Sequence, residues 1–175
     1  MHKLNVRQIT LAAVVAALYT VLSYFSEIFG LAYGPIQCRF SEALCVLPFF
    51  FPETSWGLFV GCILTNLMSA YGPVDIIFGS LATLIAALCT AKCKSRLLAP
   101  LPPVIANGLI VGATISWFET GFTSAFLPAF AYNALTVAIG EAIACYVLGL
   151  LLLSVLPRIG FFRSMIPENK LPVRE

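Results

Sequence analysis

Long apolar runs separated by short polar breaks are the feature that most limits what this chain can fold into. Several runs reach or approach the roughly 20 residues that a helix needs to cross a bilayer core of about 30 Å. Of the 175 residues, 60% are hydrophobic and 10% are charged, against about 25% charged in an ordinary soluble domain. We therefore expect a single all-α domain, an integral membrane domain over residues 1–175.

Breaks at glycine, proline and charged residues divide the chain into six apolar segments. The predicted spans are residues 8–25, 36–51, 55–71, 74–91, 101–118 and 130–156. The second span is the least typical, because its sixteen residues contain Arg39 and Glu42 and cover only about 24 Å as an α-helix. A re-entrant or surface helix is the alternative for this segment.

The positions of lysine and arginine indicate whether the second segment crosses. Basic residues in short flanking segments stay cytoplasmic, and nine of the ten here form three clusters beside predicted spans. The clusters are Lys3 and Arg7; Lys92, Lys94 and Arg96; and Arg158, Arg163, Lys170 and Arg174. All three fall on one side only if all six segments cross. This predicts six transmembrane helices with both termini cytoplasmic, and it leaves Arg39 as the one exception.

Polar residues in the outer half of different spans are the candidates for a binding site. Ionisable groups inside a membrane are costly and usually face a cavity or a partner, so residues at similar depth predict one polar chamber opening outward. The candidate substrate-binding residues are Gln37, Arg39, Glu42, Asn66, Asp75, Asn133 and Glu141, together with the aromatic residues Trp117 and Tyr132. One or two of the aromatic rings could stack on a planar ligand, although most such rings belong to interfacial belts.

Structural explanations remain open for several of these candidates. Arg39 and Glu42 lie three residues apart and could form an ion pair that only neutralises both charges. Asn66 could be an interhelical hydrogen-bonding residue, and Asp75 could be a charge at a helix N-terminus. Glu141 is harder to explain in this way, because it lies near mid-membrane with no basic residue close in sequence.

The charges of this chamber indicate the kind of ligand it takes. Arg39 stands against three carboxylates, Glu42, Asp75 and Glu141, so the net charge is minus two if all four are ionised. Such a site favours a ligand that is cationic or rich in N–H donors.

Several activities lack the residues they need. The chain has no GxxxxGK[ST] loop for ATP hydrolysis and no GxSxG or HExxH motif, and its one histidine is His2. Its six cysteines lie in apolar segments without CxxC spacing. We therefore expect no catalytic residues, no metal site, no cofactor and no nucleic-acid partner; a membrane enzyme has no positive support.

Small residues at four-residue spacing predict close helix packing. They occur at Gly57 and Gly61 and at Gly108 and Gly112. In the first span they form the pairs Ala12/Ala16 and Ala13/Ala17, a smooth face that would also suit docking of a partner protein.

Three motifs in order resemble the QueT family, the substrate-binding (S) subunits of energy-coupling factor (ECF) transporters assigned to queuosine precursors. They are GPIQCRFSEALCVLPFF from residue 34, GPVDIIFGSLATLIAAL from residue 72 and VAIGEAIACYVLG from residue 137. The resemblance runs from about residue 7 to residue 157. The alanine pairs Ala12/Ala16 and Ala13/Ala17 also look like the surface by which such subunits dock on the transmembrane coupling subunit.

The resemblance implies a six-helix S-component bundle in the cell membrane that binds queuine or its aminomethyl-deazaguanine precursor. It also implies a coupling subunit and two ATPase subunits as partners, in contact with membrane lipid. Two alternatives remain open: an S component for another vitamin-like ligand, or a stand-alone small homo-oligomeric channel or secondary carrier.

Overall fold

The computed structural model describes residues 5–30, 38–69 and 71–171 of the chain, and every regular element in these ranges is helical. Gln37 of the predicted site, and Lys3 and Arg174 of the basic clusters, lie outside the described residues. The principal helices are α1 (Val6–Ile28), a 3₁₀ helix (Phe40–Phe49), α2 (Thr54–Asn66), α3 (Pro73–Ala91), α4 (Leu101–Thr120) and α5 (Phe126–Ala142). α5 continues as a π helix (Ile143–Gly149) and α6 (Leu150–Val155), and a short α7 (Gly160–Arg163) follows in the C-terminal tail.

Four stretches are long and apolar enough to cross a membrane. They are Val6–Ile28, Pro73–Ala91, Arg96–Thr120 and Phe126–Arg158, with 23, 19, 25 and 33 residues. The expectation of an all-α, multi-pass membrane protein is therefore confirmed.

The second predicted span forms the 3₁₀ helix, with ten residues where sixteen were predicted. At about 2.0 Å per residue a 3₁₀ helix extends further than an α-helix of equal length, so ten residues reach roughly 20 Å. Residues 41–51 are all buried, against α1, α2, α3 and the π helix. Because protein surrounds this segment, its charged residues and irregular backbone need not meet lipid.

The third predicted span is also shorter than expected, since α2 has 13 residues and ends at Asn66. The chain then forms successive turns, with Ser69 N–H donating to Asn66 O at 3.1 Å and Gly72 N–H donating to Ser69 O at 3.1 Å. Gly72 takes a φ of 59°, a conformation that glycine adopts readily. Pro73 follows at the first turn of α3, where its missing N–H costs nothing.

Consecutive helices alternate in direction through the bundle. Ser26 Oγ near the end of α1 accepts a hydrogen bond from Phe40 N at the start of the 3₁₀ helix, at 2.8 Å. At the opposite end, Lys170 Nζ donates to Phe49 O and to Ala91 O, the latter at 3.1 Å. The 3₁₀ helix therefore runs from the end of the bundle where α1 finishes to the end where α3 finishes.

Two glycine seams hold neighbouring helices in close contact. A Cβ atom on Gly57 of α2 would lie 2.2 Å from Ala12 O of α1, and one on Gly61 would lie 2.8 Å from Ala16 O. On α4, a Cβ atom on Gly112 would lie 2.6 Å from Ala134 Cα of α5. These contacts leave no room for a side chain, so the glycines set the spacing of α1 with α2 and of α4 with α5.

Candidate functional site

A polar chamber lies in the middle of the bundle, and each helical element from α1 to α5 contributes to its wall. Its volume is about 30 Å³, room for about one or two waters. The described residues that line it are Tyr19, Arg39, Glu42, Cys62, Asn66, Asp75, Gly79, Thr83, Asn107, Val111, Val137 and Glu141. The 3₁₀ helix brings charged groups into the chamber from inside the bundle.

Glu42 is held by neighbours other than Arg39. Its Oε1 accepts a hydrogen bond from Tyr19 Oη at 2.6 Å, and its Oε2 accepts one from Cys45 Sγ at 3.0 Å. Among the described residues, the Arg39 guanidinium makes no direct hydrogen bond or ion pair, although Tyr19, Glu42 and Asp75 lie near enough for their charges to act on it. The ion pair that the sequence allows between Arg39 and Glu42 is therefore absent from this structure, and the Arg39 donors remain available inside the chamber.

Asp75 and Asn66 form the wall between α2 and α3. Asn66 Nδ2 donates to the backbone oxygen of Asp75 at 3.0 Å, and Ser69 Oγ donates to Asp75 Oδ2 at 2.7 Å. A Cβ atom on Gly79, one turn further along α3, would lie 2.6 Å from Asp75 Oδ1 and 2.9 Å from Asn66 Nδ2. The absence of a side chain at Gly79 lets these two polar groups face the chamber together.

Glu141 lies at the end of α5, next to the π helix. Its Oε1 accepts a hydrogen bond from Asn107 Nδ2 of α4, and its Oε2 accepts one from Cys145 Sγ at 3.6 Å. The same thiol lies 3.2 Å from the backbone oxygen of Glu42. A single π-helical turn inside a longer helix is frequently found at a functional site, and here it packs against the 3₁₀ helix, where Gly149 lies against Val46.

The chamber therefore combines one free cationic group with three carboxylates. Glu42, Asp75 and Glu141 are 6%, 5% and 4% exposed, which makes each of them a costly group to leave without donors. The arrangement can bind a small polar ligand that presents several N–H donors or a positive charge. In the described part of the chain, no three His, Cys, Asp or Glu side chains are grouped to hold a metal ion.

Five of the predicted site residues meet in this chamber, namely Arg39, Glu42, Asn66, Asp75 and Glu141. The other three that the structure describes do not line it. Asn133 donates to Ser116 Oγ at 3.0 Å and to Glu119 Oε2 at 2.9 Å. Trp117 borders an apolar groove of about 590 Å³ between α3 and α4, and Tyr132 is 60% exposed.

The sequence prediction missed several residues of the wall, above all Tyr19 and Asn107. The sequence position of each residue could have identified it. Tyr19 lies inside an apolar run and away from the membrane interface where tyrosine is usually found, and Asn107 is an amide inside a predicted span, which usually needs a polar partner. Cys62 and Thr83 gave no comparable signal, because both residue types are common in apolar helices.

The alanine pairs of α1 separate into two faces. Ala12 and Ala16 pack against the glycines of α2, while Ala13 and Ala17 are exposed.

Comparison with known proteins supports the family that the three motifs indicate. A protein of Lactococcus lactis subsp. cremoris (strain MG1363) named queuosine precursor transporter QueT is 38% identical over 85 residues, which are 49% of this chain and 50% of that protein. The chain thus spans about half the length of the curated relative it matches. No solved structure matches it. The QueT transporter pattern, however, matches residues 9–158, and the chain therefore belongs to this family, which consists of transporters and not of enzymes.

Proposed function

We propose that this protein is the substrate-binding membrane subunit (S component) of an ECF importer, and that its ligand is a queuosine precursor, either queuine or aminomethyl-deazaguanine. The observation that carries the proposal is the chamber itself, which three buried carboxylates and the guanidinium of Arg39 line together. The relative's printed name supports the ligand class. The lack of an ATP-binding loop supports separate ATPase subunits.

The chemistry of a deazaguanine matches the groups on the wall. Its N1–H and exocyclic amine are adjacent donors that a carboxylate accepts in bidentate fashion, and we assign this edge to Glu141. The ring carbonyl would accept from Arg39. Asp75 is better suited than Glu42 to bind an aminomethyl ammonium, because Glu42 accepts short hydrogen bonds at both oxygens, 2.6 Å and 3.0 Å, whereas the described side-chain donor of Asp75 occupies only Oδ2. Glu141 can take the base edge because its contact with Cys145 Sγ is long, at 3.6 Å, and a stronger donor can replace it.

The chamber must open before such a ligand enters. Pockets that bind small molecules are usually about 300–1,000 Å³, whereas the described walls enclose about 30 Å³. We assign the opening to the outer end of the bundle, beside the start of the 3₁₀ helix. Binding thus requires helices to part and close again around the ligand.

The topology we propose has six crossings and both termini in the cytoplasm. Two structural observations support it: consecutive helices alternate in direction, and Lys170 contacts the ends of the 3₁₀ helix and α3. The basic residues Arg7, Lys92 and Arg158 flank helix ends on that same side, which the positive-inside rule assigns to the cytoplasm.

A binding measurement with Glu141→Gln tests the proposal. Replacing the carboxylate with an amide removes one acceptor and the negative charge, so affinity for 7-aminomethyl-7-deazaguanine should fall about 10- to 100-fold. Titration calorimetry on the purified full chain in nanodiscs measures this. Glu168→Gln, in the exposed tail, is the control and should bind as wild type.

Two results would contradict the proposal. If Glu141→Gln bound the ligand as tightly as wild type, Glu141 would not be the residue that accepts from the N1–H and exocyclic amine of the base. Uptake of the ligand by liposomes that contain only this chain would instead support a stand-alone carrier, because an S component binds alone but transports only with its coupling and ATPase subunits.

A further inference from the structure

Asn107 carries a buried hydrogen-bond acceptor that no described group uses. The residue is 4% exposed and lines the chamber, and its Oδ1 atom accepts no hydrogen bond. Buried polar atoms in folded proteins are nearly always paired, so an unpaired one needs a functional or structural reason.

The neighbouring contacts fix the direction in which this acceptor points. Asn107 Nδ2 donates to Glu141 Oε1, and because a carboxylate only accepts, the amide nitrogen must face it. Oδ1 therefore faces away from the carboxylate. The seam at Gly112, where a Cβ atom would lie 2.6 Å from Ala134 Cα, keeps α4 and α5 close enough for this contact.

We propose that Asn107 and Glu141 together recognise the amino-substituted edge of a guanine-like base. Glu141 accepts from the ring N1–H and from one hydrogen of the exocyclic 2-amino group, and Asn107 Oδ1 accepts the second hydrogen of that group. This assignment rests on the proposed function, and it adds Asn107 as the residue that selects for the 2-amino group.

The physical reason is the cost of leaving acceptors unpaired. A base without the 2-amino group would occupy the same space and leave Asn107 Oδ1 without a donor. Sites built to hydrogen-bond a substrate N–H reject the analogue that lacks it far more strongly than apolar pockets reject a missing methylene. The chamber should therefore prefer 2-amino bases over otherwise identical ones.

A matched pair of ligands tests this preference. 7-Deazaguanine and 7-deazahypoxanthine differ only in the 2-amino group, and titration calorimetry on the full chain in nanodiscs gives both affinities. Wild type should bind 7-deazaguanine at least tenfold more tightly. In Asn107→Ala that preference should fall about tenfold, which corresponds to the loss of one hydrogen bond.

Two further variants separate recognition from a structural role. Asn107→Asp keeps an acceptor oxygen and can share a proton with Glu141, so it should retain the preference for 7-deazaguanine. This variant tests the inference even if Asn107→Ala fails to fold. Asn133→Ala removes another buried asparagine between α4 and α5 that does not line the chamber, and it should keep the wild-type preference.

The outcomes distinguish failure of this inference from failure of the proposed function. Equal weakening of both ligands in Asn107→Ala, or loss of the preference in Asn107→Asp, overturns the role of Asn107 while the proposed function stands. Binding of neither ligand by wild type overturns the proposed function, and the role of Asn107 with it.

Discussion

At the scale of single residues, two buried glutamates differ in the hydrogen-bond donors that surround them. Glu42 has both oxygens occupied by donors from the protein, Tyr19 and Cys45. Glu141 accepts from Asn107, an amide whose Oδ1 has no described partner, and from Cys145 Sγ only at 3.6 Å, longer than either contact of Glu42. We infer that Glu42 is a fixed part of the wall and that Glu141 is the carboxylate better placed to exchange partners when a ligand binds.

Gly79 gives a prediction at this scale. In Gly79→Ala the new methyl group would lie 2.6 Å from Asp75 Oδ1 and 2.9 Å from Asn66 Nδ2. Both atoms are at the ends of side chains, which can shift without moving the backbone but strain their hydrogen bonds. We expect affinity for 7-aminomethyl-7-deazaguanine to fall about tenfold, about 1.4 kcal/mol, with a smaller fall in melting temperature than a clash against backbone would cause.

The control for Gly79→Ala is Gly160→Ala, where the methyl group would meet nothing within 4 Å. It should match wild type in affinity and in melting temperature. If Gly79→Ala also bound the ligand as wild type does, Asp75 and Asn66 would not be part of the binding site.

At the scale of elements, the 3₁₀ helix and the glycine seams position the site. The 3₁₀ helix is buried from Ser41 onward and contacts α1, α2, α3 and the π helix. A regular α-helix of ten residues would extend only about 15 Å, whereas the 3₁₀ form reaches about 20 Å. The tighter winding lets a short segment present Arg39 and Glu42 at the chamber and still reach the opposite end of the bundle.

The α1–α2 seam gives a prediction at this scale. In Gly57→Ala the new methyl group would lie 2.2 Å from Ala12 O, a backbone atom that moves only if the helices separate. Overpacking of this kind costs about 1–3 kcal/mol, which lowers the melting temperature of a chain of this size by several degrees. A thermal-shift assay on the purified protein measures this.

Alanine substitutions at two other glycines show whether the fall in melting temperature depends on the closeness of the helix contact. Gly61→Ala would place its methyl group 2.8 Å from Ala16 O, so its melting temperature should fall less than that of Gly57→Ala, and Gly160→Ala should show no change. A melting temperature for Gly57→Ala equal to that of wild type would mean that the seam is looser than the structure indicates.

At the scale of the whole molecule, the chamber and the docking face that we propose on α1 occupy different parts of the bundle. The chamber draws on every helical element from α1 to α5. Ala12 and Ala16 are occupied by α2, so the docking face that we propose on α1 narrows to the exposed Ala13 and Ala17. Ligand binding and partner docking should therefore be separable by mutation.

The double substitution Ala13→Leu with Ala17→Leu tests that separation. Larger side chains on this face should block close approach of the coupling subunit, so ligand uptake by the assembled transporter should fall at least tenfold. Ligand affinity of the isolated chain should not change. Ala131→Leu, on an exposed face of α5, is the matched control and should transport normally; normal uptake by the double variant would place the docking surface elsewhere.

The sequence predicted the helical class and the approximate positions of the long apolar helices, because apolar runs and their breaks are local properties of the chain. It also predicted that Arg39, Glu42, Asn66, Asp75 and Glu141 would share a chamber, since buried charges far apart in sequence must find partners in one place. The membrane setting made both inferences possible. Lipid penalises unpaired polar groups severely.

Tertiary structure alone decided which polar groups pair with which. Local sequence left open whether Arg39 pairs with Glu42, and the 3₁₀ helix turns Glu42 toward Tyr19 and Cys45. The same holds for Asn107 and Glu141, which are 34 residues apart and meet only because glycines bring α4 against α5. Periodicity fixes the face of a helix on which a residue lies, whereas a hydrogen-bond partner depends on the spacing and rotation of two helices. Only packing sets those quantities.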